Sequence, residues 1–242
     1  MGGIIFHEKK AGYSDGYKVW GDIVLPTNST MLDTLPTTFV AYALFGCHSN
    51  GYGNFDAGLQ VCGNGQYKLC LNGGKPETSV LKLNNGVAWY ESAKFNASGT
   101  ITLTAELIYV SPTKGKARVS TGEHSVEAEF ATGLWENKFQ NGVCFWKEMT
   151  VASNQEPFTN LWSTQNIALT QTVYMSDMTF KEVKYKRHSG GNIDYSLDSA
   201  EIITTGTPKL DGQSTGSMPT WDQMIYGTAS NGYSNTFSID CR

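Results

Sequence analysis

Along residues 100–110 apolar and polar side chains alternate, with Ile101, Leu103, Ala105, Leu107 and Tyr109 on one face and Thr100, Thr102, Thr104 and Glu106 on the other. A repeat of two residues marks an extended strand with one face buried. Residues 125–130 repeat it, Val126, Ala128 and Phe130 against Ser125, Glu127 and Glu129, which predicts a strand with one wet face. Residues 178–186 begin in the same way and then slip phase: Met178 and Phe180 are even, Val183 and Tyr185 odd. A bulge or bend is expected near Glu182.

Turn chemistry separates such runs throughout the chain: Asp15-Gly16, Asn50-Gly51, Asn64-Gly65, Asn72-Gly73-Gly74, Asn85-Gly86, Asn141-Gly142, Gly190-Gly191-Asn192, Asp211-Gly212 and Asn231-Gly232. These residues tolerate the positive φ that tight hairpins demand. Between them strands are expected near residues 17–25, 38–46, 55–62, 66–72, 78–83, 86–93, 100–110, 115–120, 124–130, 142–152, 166–174, 178–186, 199–205, 223–227 and 234–240. So many strands with so little helical periodicity predict an all-β fold, a two-sheet antiparallel β-sandwich. Residues 205–221, rich in Gly, Ser, Thr and Pro, read as the longest loop. A tight hairpin at Asn64-Gly65 places Cys62 opposite Tyr67 and Cys70 opposite Leu59, which disfavours a Cys62–Cys70 disulfide. The same register puts Gln60, Cys62, Tyr67 and Leu69 on one face.

Composition narrows the classes. With 242 residues and 40% hydrophobic content, residues 1–242 are expected to form a single domain around one core. Charged residues make up 17% and the net charge is -4, so no basic field exists to hold a nucleic acid. No apolar run is long enough for a transmembrane helix, and the first residues lack the charged region and cleavage pattern of a signal peptide. Abundant Thr, Ser, Asn, Gly and aromatics with low charge density still favour an extracellular or cell-surface protein, its leader removed. The five cysteines (Cys47, Cys62, Cys70, Cys144 and Cys241) are odd in number and irregularly spaced, the pattern of buried free thiols.

Several constellations invite chemistry. Glu127 and Glu129 place two carboxylates on one strand face about 7 Å apart, a spacing suited to acid/base work on a glycosidic bond. A jelly-roll glucanase carries a third acid further along that strand, and Phe130-Ala131-Thr132 offers none. His7, His48, His124 and His188 are scattered without a second ligand at metal spacing, so neither a metal nor a cofactor is expected. The carbonyls of residues 48–56, with Asp56, could ring a calcium ion, but the run lacks the alternating acids of a calcium loop and reads as a long hairpin connection. Aromatic residues beside turns or polar runs (Tyr13, Tyr17, Trp20, Tyr52, Trp89, Tyr90, Trp135, Trp162, Trp221 and Tyr233) are candidates for stacking on sugar faces or peptide side chains, with core packing the rival for each.

Read in order, Asp56-Ala57-Gly58-Leu59-Gln60, Ala88-Trp89-Tyr90-Glu91, Gly115-Lys116-Ala117-Arg118-Val119-Ser120-Thr121-Gly122, Phe145-Trp146-Lys147-Glu148 and Pro157-Phe158 resemble the glutamic peptidases. The match spans roughly residues 38–170 with gaps, and Ala-Trp-Tyr-Glu is its distinctive run. Similar patterns occur in uncharacterised exported bacterial proteins of the same sandwich type. The resemblance implies a concanavalin A-like jelly roll. It also implies that a Gln and a Glu on neighbouring strands activate water and stabilise an oxyanion. Gln60 matches the Gln. The Glu is expected immediately before the Trp of the later motif, where this chain has Phe145, while Glu148, three residues on, faces the other way from Phe145. The resemblance therefore leaves catalysis without its acid/base, unless Glu91 or Glu136 reaches the same space.

The sequence thus predicts a non-catalytic groove for an extended glycan or peptide, built from Gln60, Trp89, Tyr90, Glu91 and Tyr67. The alternative is a hydrolase, either a peptidase using Gln60 with a relocated Glu or a glycanase using Glu127 and Glu129.

Overall fold

The computed structural model describes residues 2–10, 12–31, 33–34, 37–49, 53–73, 89–131, 142–153, 174–197, 204–205, 209–210, 213–214, 225–230 and 234–240. All its regular elements are strands, paired antiparallel in two main sheets. The first sheet runs in the order β16 (Thr204–Thr205), β1 (Gly2–Lys10), β13 (Val143–Ser153), β5 (Thr37–Ser49), β6 (Gly53–Gly63), β7 (Gln66–Asn72) and β8 (Trp89–Glu91). Short β4 (Asp33–Thr34) pairs with β5 and β9 (Phe95–Asn96) with β7. The second runs β12 (Ser125–Ala131), β11 (Lys114–Ser120), β10 (Thr100–Ser111), β2 (Gly16–Val24), β14 (Tyr174–Arg187), β20 (Ser234–Asp240) and β19 (Ile225–Ser230). Against β14 lie β15 (Tyr195–Ser196) and β3 (Ser29–Thr30). Within the stretch expected to be a long loop, β17 (Lys209–Leu210) and β18 (Gln213–Ser214) form a small hairpin.

The alternating patterns set which faces meet. Leu103, Ala105 and Leu107 of β10 and Val126, Ala128 and Phe130 of β12 are buried in one core with Ala43, Phe45, Leu59 and Val61 of the first sheet. Rings close the gap between sheets, Phe45 to Phe180 at 5.5 Å and Phe55 to Phe130 at 4.7 Å. Tyr109, predicted to continue the buried row, is 51% exposed because it sits next to the β10–β11 turn, past the edge of the core. The phase slip in β14 is a bulge: pairing with β2 shifts between Lys181 and Lys184, and Glu182 takes a φ of 51°. No helix among the described residues is long and apolar enough to cross a membrane.

Strands predicted near residues 78–83 and 166–174 lie outside the described residues, apart from Tyr174. β1 was not predicted; its apolar run Ile4-Ile5-Phe6 has no period-2 alternation, and it pairs with β13 across a bulge between Ile5 and His7.

The segment entering β2 ties the two sheets together. Ser14 exchanges both backbone hydrogen bonds with Val143 of β13, at 2.8 and 2.9 Å. Beside it Asp15 accepts Nε–H of Arg187 at 2.8 Å and the backbone N–H of Ser189 at 2.5 Å. Burial raises the Asp15 carboxyl pKa, but these donors outweigh it and hold the group at about 2.

Candidate functional site

The hairpin carrying Gln60 has the predicted two-residue turn, Gly63 facing Gln66, but not the predicted register. Between Val61 and Gly63 the pairing shifts, so Val61 faces Tyr67, Gln60 faces Lys68 and Gly58 faces Cys70. Cys62 is the extra residue of a bulge. The cause is a contact distant in sequence: Gly63 has φ +90°, and a Cβ there would stand 2.7 Å from the backbone N of Met31. Asn64 N–H also donates to the Ser29 carbonyl. One residue of slip moves alternate side chains to opposite faces. Tyr67, expected beside Gln60, is instead in the inter-sheet core, 0% exposed. Burial pushes its phenol up to about 12, and its hydroxyl has no hydrogen-bond partner. Tyr67→Phe removes a desolvated, unpaired group, so it is expected to be neutral or to stabilise by up to about 1 kcal/mol in urea unfolding.

Opposed residues of an antiparallel pair share a face. That rule lays out the outer face of the first sheet in rows. One row holds Thr150, Tyr42, Gln60 and Lys68; the next holds Glu148, Leu44, Gly58, Cys70 and Glu91; the third holds Trp146, Gly46, Asp56, Asn72 and Trp89. Of the expected site residues, Gln60, Glu91 and the position of Trp89 therefore share this face. Tyr90 pairs with Leu71, a core residue, and so stands on the other face of the edge strand β8, 37% exposed. Tyr52, Trp135, Glu136, Trp162, Trp221 and Tyr233 lie outside the described residues.

Gln60 is 3% exposed, and its Oε1 is buried without a partner. Next to it Lys68 Nζ meets Glu91 Oε1 at 2.7 Å, a pair whose carboxylate end opens to solvent. Val40, Tyr42, Leu44 and Cys70 form a small apolar cluster on this outer side, separate from the main core. Two glycines allow large side chains to lie flat there. Leu44 covers Gly58, and the Trp146 indole crosses Gly46, where a Cβ would be 1.9 Å from the ring. Asn72 Nδ2 donates to Asp56 Oδ2 at 3.4 Å. Cys47, Cys62, Cys70 and Cys144 are free and buried, so the expected absence of a Cys62–Cys70 bridge is observed. Burial, and secondarily the Asp56 charge, raises the Cys70 thiol far above its usual value, which makes it an inert side chain.

Phe145, at the position where the resemblance calls for an acid, points into the core. The β13 carboxylate on Gln60's side is Glu148, which faces away from Phe145 as its odd spacing predicts, but outward, because Phe145 is the core residue. Glu148 Oε2 accepts the Trp146 Nε1–H at 3.2 Å, so it is turned toward the row farther from Gln60.

Elsewhere the candidates are in ion pairs or stacks. Glu127 pairs with Lys116 at 2.7 Å and Glu129 with Lys114 at 3.9 Å, both on the solvent face of β12. Beside them Glu106 binds Lys18 and Arg118; burial raises its pKa, but those cations win and lower it. His124 stacks on Phe95 at 4.2 Å, His188 on Tyr17 at 4.5 Å, and His48 Nδ1 bonds Tyr13 Oη at 2.5 Å. The middle of the 48–56 loop, residues 50–52, lies outside the described residues. Among the described residues no group of three or more metal-ligating side chains is found.

No family model matches this chain, and no curated protein matches it. Among solved structures it is similar to scytalido-glutamic peptidase bound to a peptide-based transition-state analogue, at 15% identity and TM-score 0.46 over 98% of this chain and 97% of that one. It is also similar to SCP-B, an eqolisin-family peptidase in complex with the tripeptide Ala-Ile-His, at 14% identity and TM-score 0.47 over 98% and 96%. Both of these structural neighbours are glutamic peptidases. At this identity no residue role passes from them to this chain, and the site stands on its own geometry.

Proposed function

We propose that the outer face of the first sheet binds an extended peptide, with the Gln60 amide at the centre and the Lys68–Glu91 pair at the rim, and that it does so without cleaving the peptide. The observation carrying this reading is the buried, unpartnered Oε1 of Gln60. An unsatisfied amide oxygen costs about 1–3 kcal/mol, and a ligand N–H removes that cost once the buried side chains around it, Tyr42, Leu44 and Cys70 among them, move aside to expose it. A peptide backbone offers such donors at every second residue along one edge.

Geometry weighs against hydrolysis. Gln60 and Glu148 are separated by β5 and by one row, or about 9–10 Å laterally and about 7 Å along the strands. An amide and a carboxylate that hold one water each need to come within about 3 Å of it. Glu148 leans the other way, onto Trp146, and Glu91 is engaged by Lys68.

Fluorescence anisotropy with a pool of unstructured, labelled peptides tests the reading. Binding should weaken about tenfold or more in Gln60→Leu, the loss of a buried hydrogen bond, while Glu127→Gln leaves it unchanged. Equal binding by wild type and Gln60→Leu would remove the basis for the proposal. Mass spectrometry of the same pool between acidic and neutral pH should find the peptides intact; cleavage abolished by Glu148→Gln would make the site a peptidase's instead.

A further inference from the structure

A second bulge in β14 builds a recess on the other sheet. Pairing of β14 with β20 shifts between Met175 and Met178, both buried in the core, so Ser176 and Asp177 are turned outward between them. Bulges re-aim side chains in this way. The result borders a cavity of about 400 Å³ lined by Thr27, Ser176, Asp177, Thr179 and Ser238 with the apolar side chains of Val24 and Leu25, and with Tyr174 among its walls.

The polar groups are held in place by the fold. Ser176 Oγ takes the Asn28 N–H at 3.1 Å, lies 3.1 Å from the Asn28 carbonyl as its donor, and stands 3.2 Å from Thr27 Oγ1. Ser238, 3% exposed, donates its hydroxyl to Asp177 Oδ1, which leaves Oδ2 for another donor. The remaining carboxylate oxygen of Asp177, the acceptor lone pairs of Ser176 and Ser238, whose protons go to the Asn28 carbonyl and to Asp177, the Thr27 hydroxyl, and an aromatic ring beside aliphatic walls form a mixed surface. Adjacent hydroxyls on a ring with an apolar C–H face complement it point by point. A cation alone would use the carboxylate and leave the hydroxyls and the apolar wall unmatched.

From this geometry we infer that the recess at Asp177 is a binding site for a single hexose-sized polyol, independent of the Gln60 face on the other sheet. Saturation-transfer NMR with D-glucose, D-galactose, D-mannose and N-acetyl-D-glucosamine, and with ethylammonium as a cation probe, tests it. At least one hexose is expected to bind with a millimolar Kd, and Asp177→Asn should weaken it about tenfold by removing a charge-assisted hydrogen bond. Thr27→Val, a same-shape change at the exposed rim, should weaken it severalfold and serves if Asp177→Asn does not fold. Three results would overturn the inference: no hexose bound at about 50 mM, well above a millimolar Kd; hexose binding indifferent to these variants; or ethylammonium binding alone.

Discussion

Gly58→Ala is expected to destabilise the protein by about 2–3 kcal/mol and to abolish binding at the Gln60 face, because the new methyl collides with backbone on the adjacent strand. A Cβ at Gly58 would stand 2.2 Å from the Ala43 carbonyl oxygen and 2.8 Å from Leu44 Cα. Gly58 faces Leu44 in the ladder, so relief requires β5 and β6 to separate, and Gln60 is two residues along that strand. The opposing effect, reduced unfolded-chain entropy on replacing glycine, is only about 0.4–1 kcal/mol. Gly46→Ala should cost less, since its obstacle is the Trp146 side chain, although a rigid indole must move and take the Glu148 hydrogen bond with it. Urea unfolding of both variants checks the order: Gly58→Ala at or above wild-type stability would mean that the two strands are not this close.

Asp15→Ala is expected to be the other large loss, about 1–2 kcal/mol at neutral pH, once solvent screening of the partly exposed Arg187 is allowed for. The wild-type effect depends on pH with a definite sign. The folded pKa, about 2, lies below the ordinary 3.8, so this stabilisation is complete above about pH 4 and is lost as pH falls toward 2. Thermal unfolding from pH 7 to pH 2 should therefore show the wild-type advantage over Asp15→Ala shrink across that acid window. A difference constant over the whole range would mean that the carboxylate is not charged and paired as described. The readout is also structural, because Asp15 adjoins the Ser14–Val143 bridge that joins the sheets.

The parts of this fold that were legible in sequence are those governed by local period. β10 and β12 follow their alternation, and the phase slip near Glu182 is a bulge at that residue. What was illegible depends on long-range contacts. Nothing near Cys62 announces that Gly63 packs on Met31, yet that contact slips the hairpin by one residue and sends Tyr67 into the core, away from Gln60. The parity of β13 is a similar case. The run Cys144-Phe145-Trp146-Lys147-Glu148 alternates poorly, and Lys147 is fully buried opposite Phe45, so hydrophobicity alone does not say which side of the strand meets the core. The glycines at positions 46 and 58 carried a readable signal. Small residues amid bulky ones in a central strand mark a place where something lies close over the backbone.

In the proposed binding mode, ligand meets this protein on the outer face of the first sheet. Amide chemical-shift mapping during titration with the unstructured peptide pool tests it most directly. Shifts are expected to concentrate at Tyr42, Gly58, Gln60, Lys68 and Glu91, with the Gln60 side-chain amide moving most and β10–β12 unchanged. Shifts confined to the second sheet, or a Gln60 side-chain signal unmoved at saturation, would contradict it.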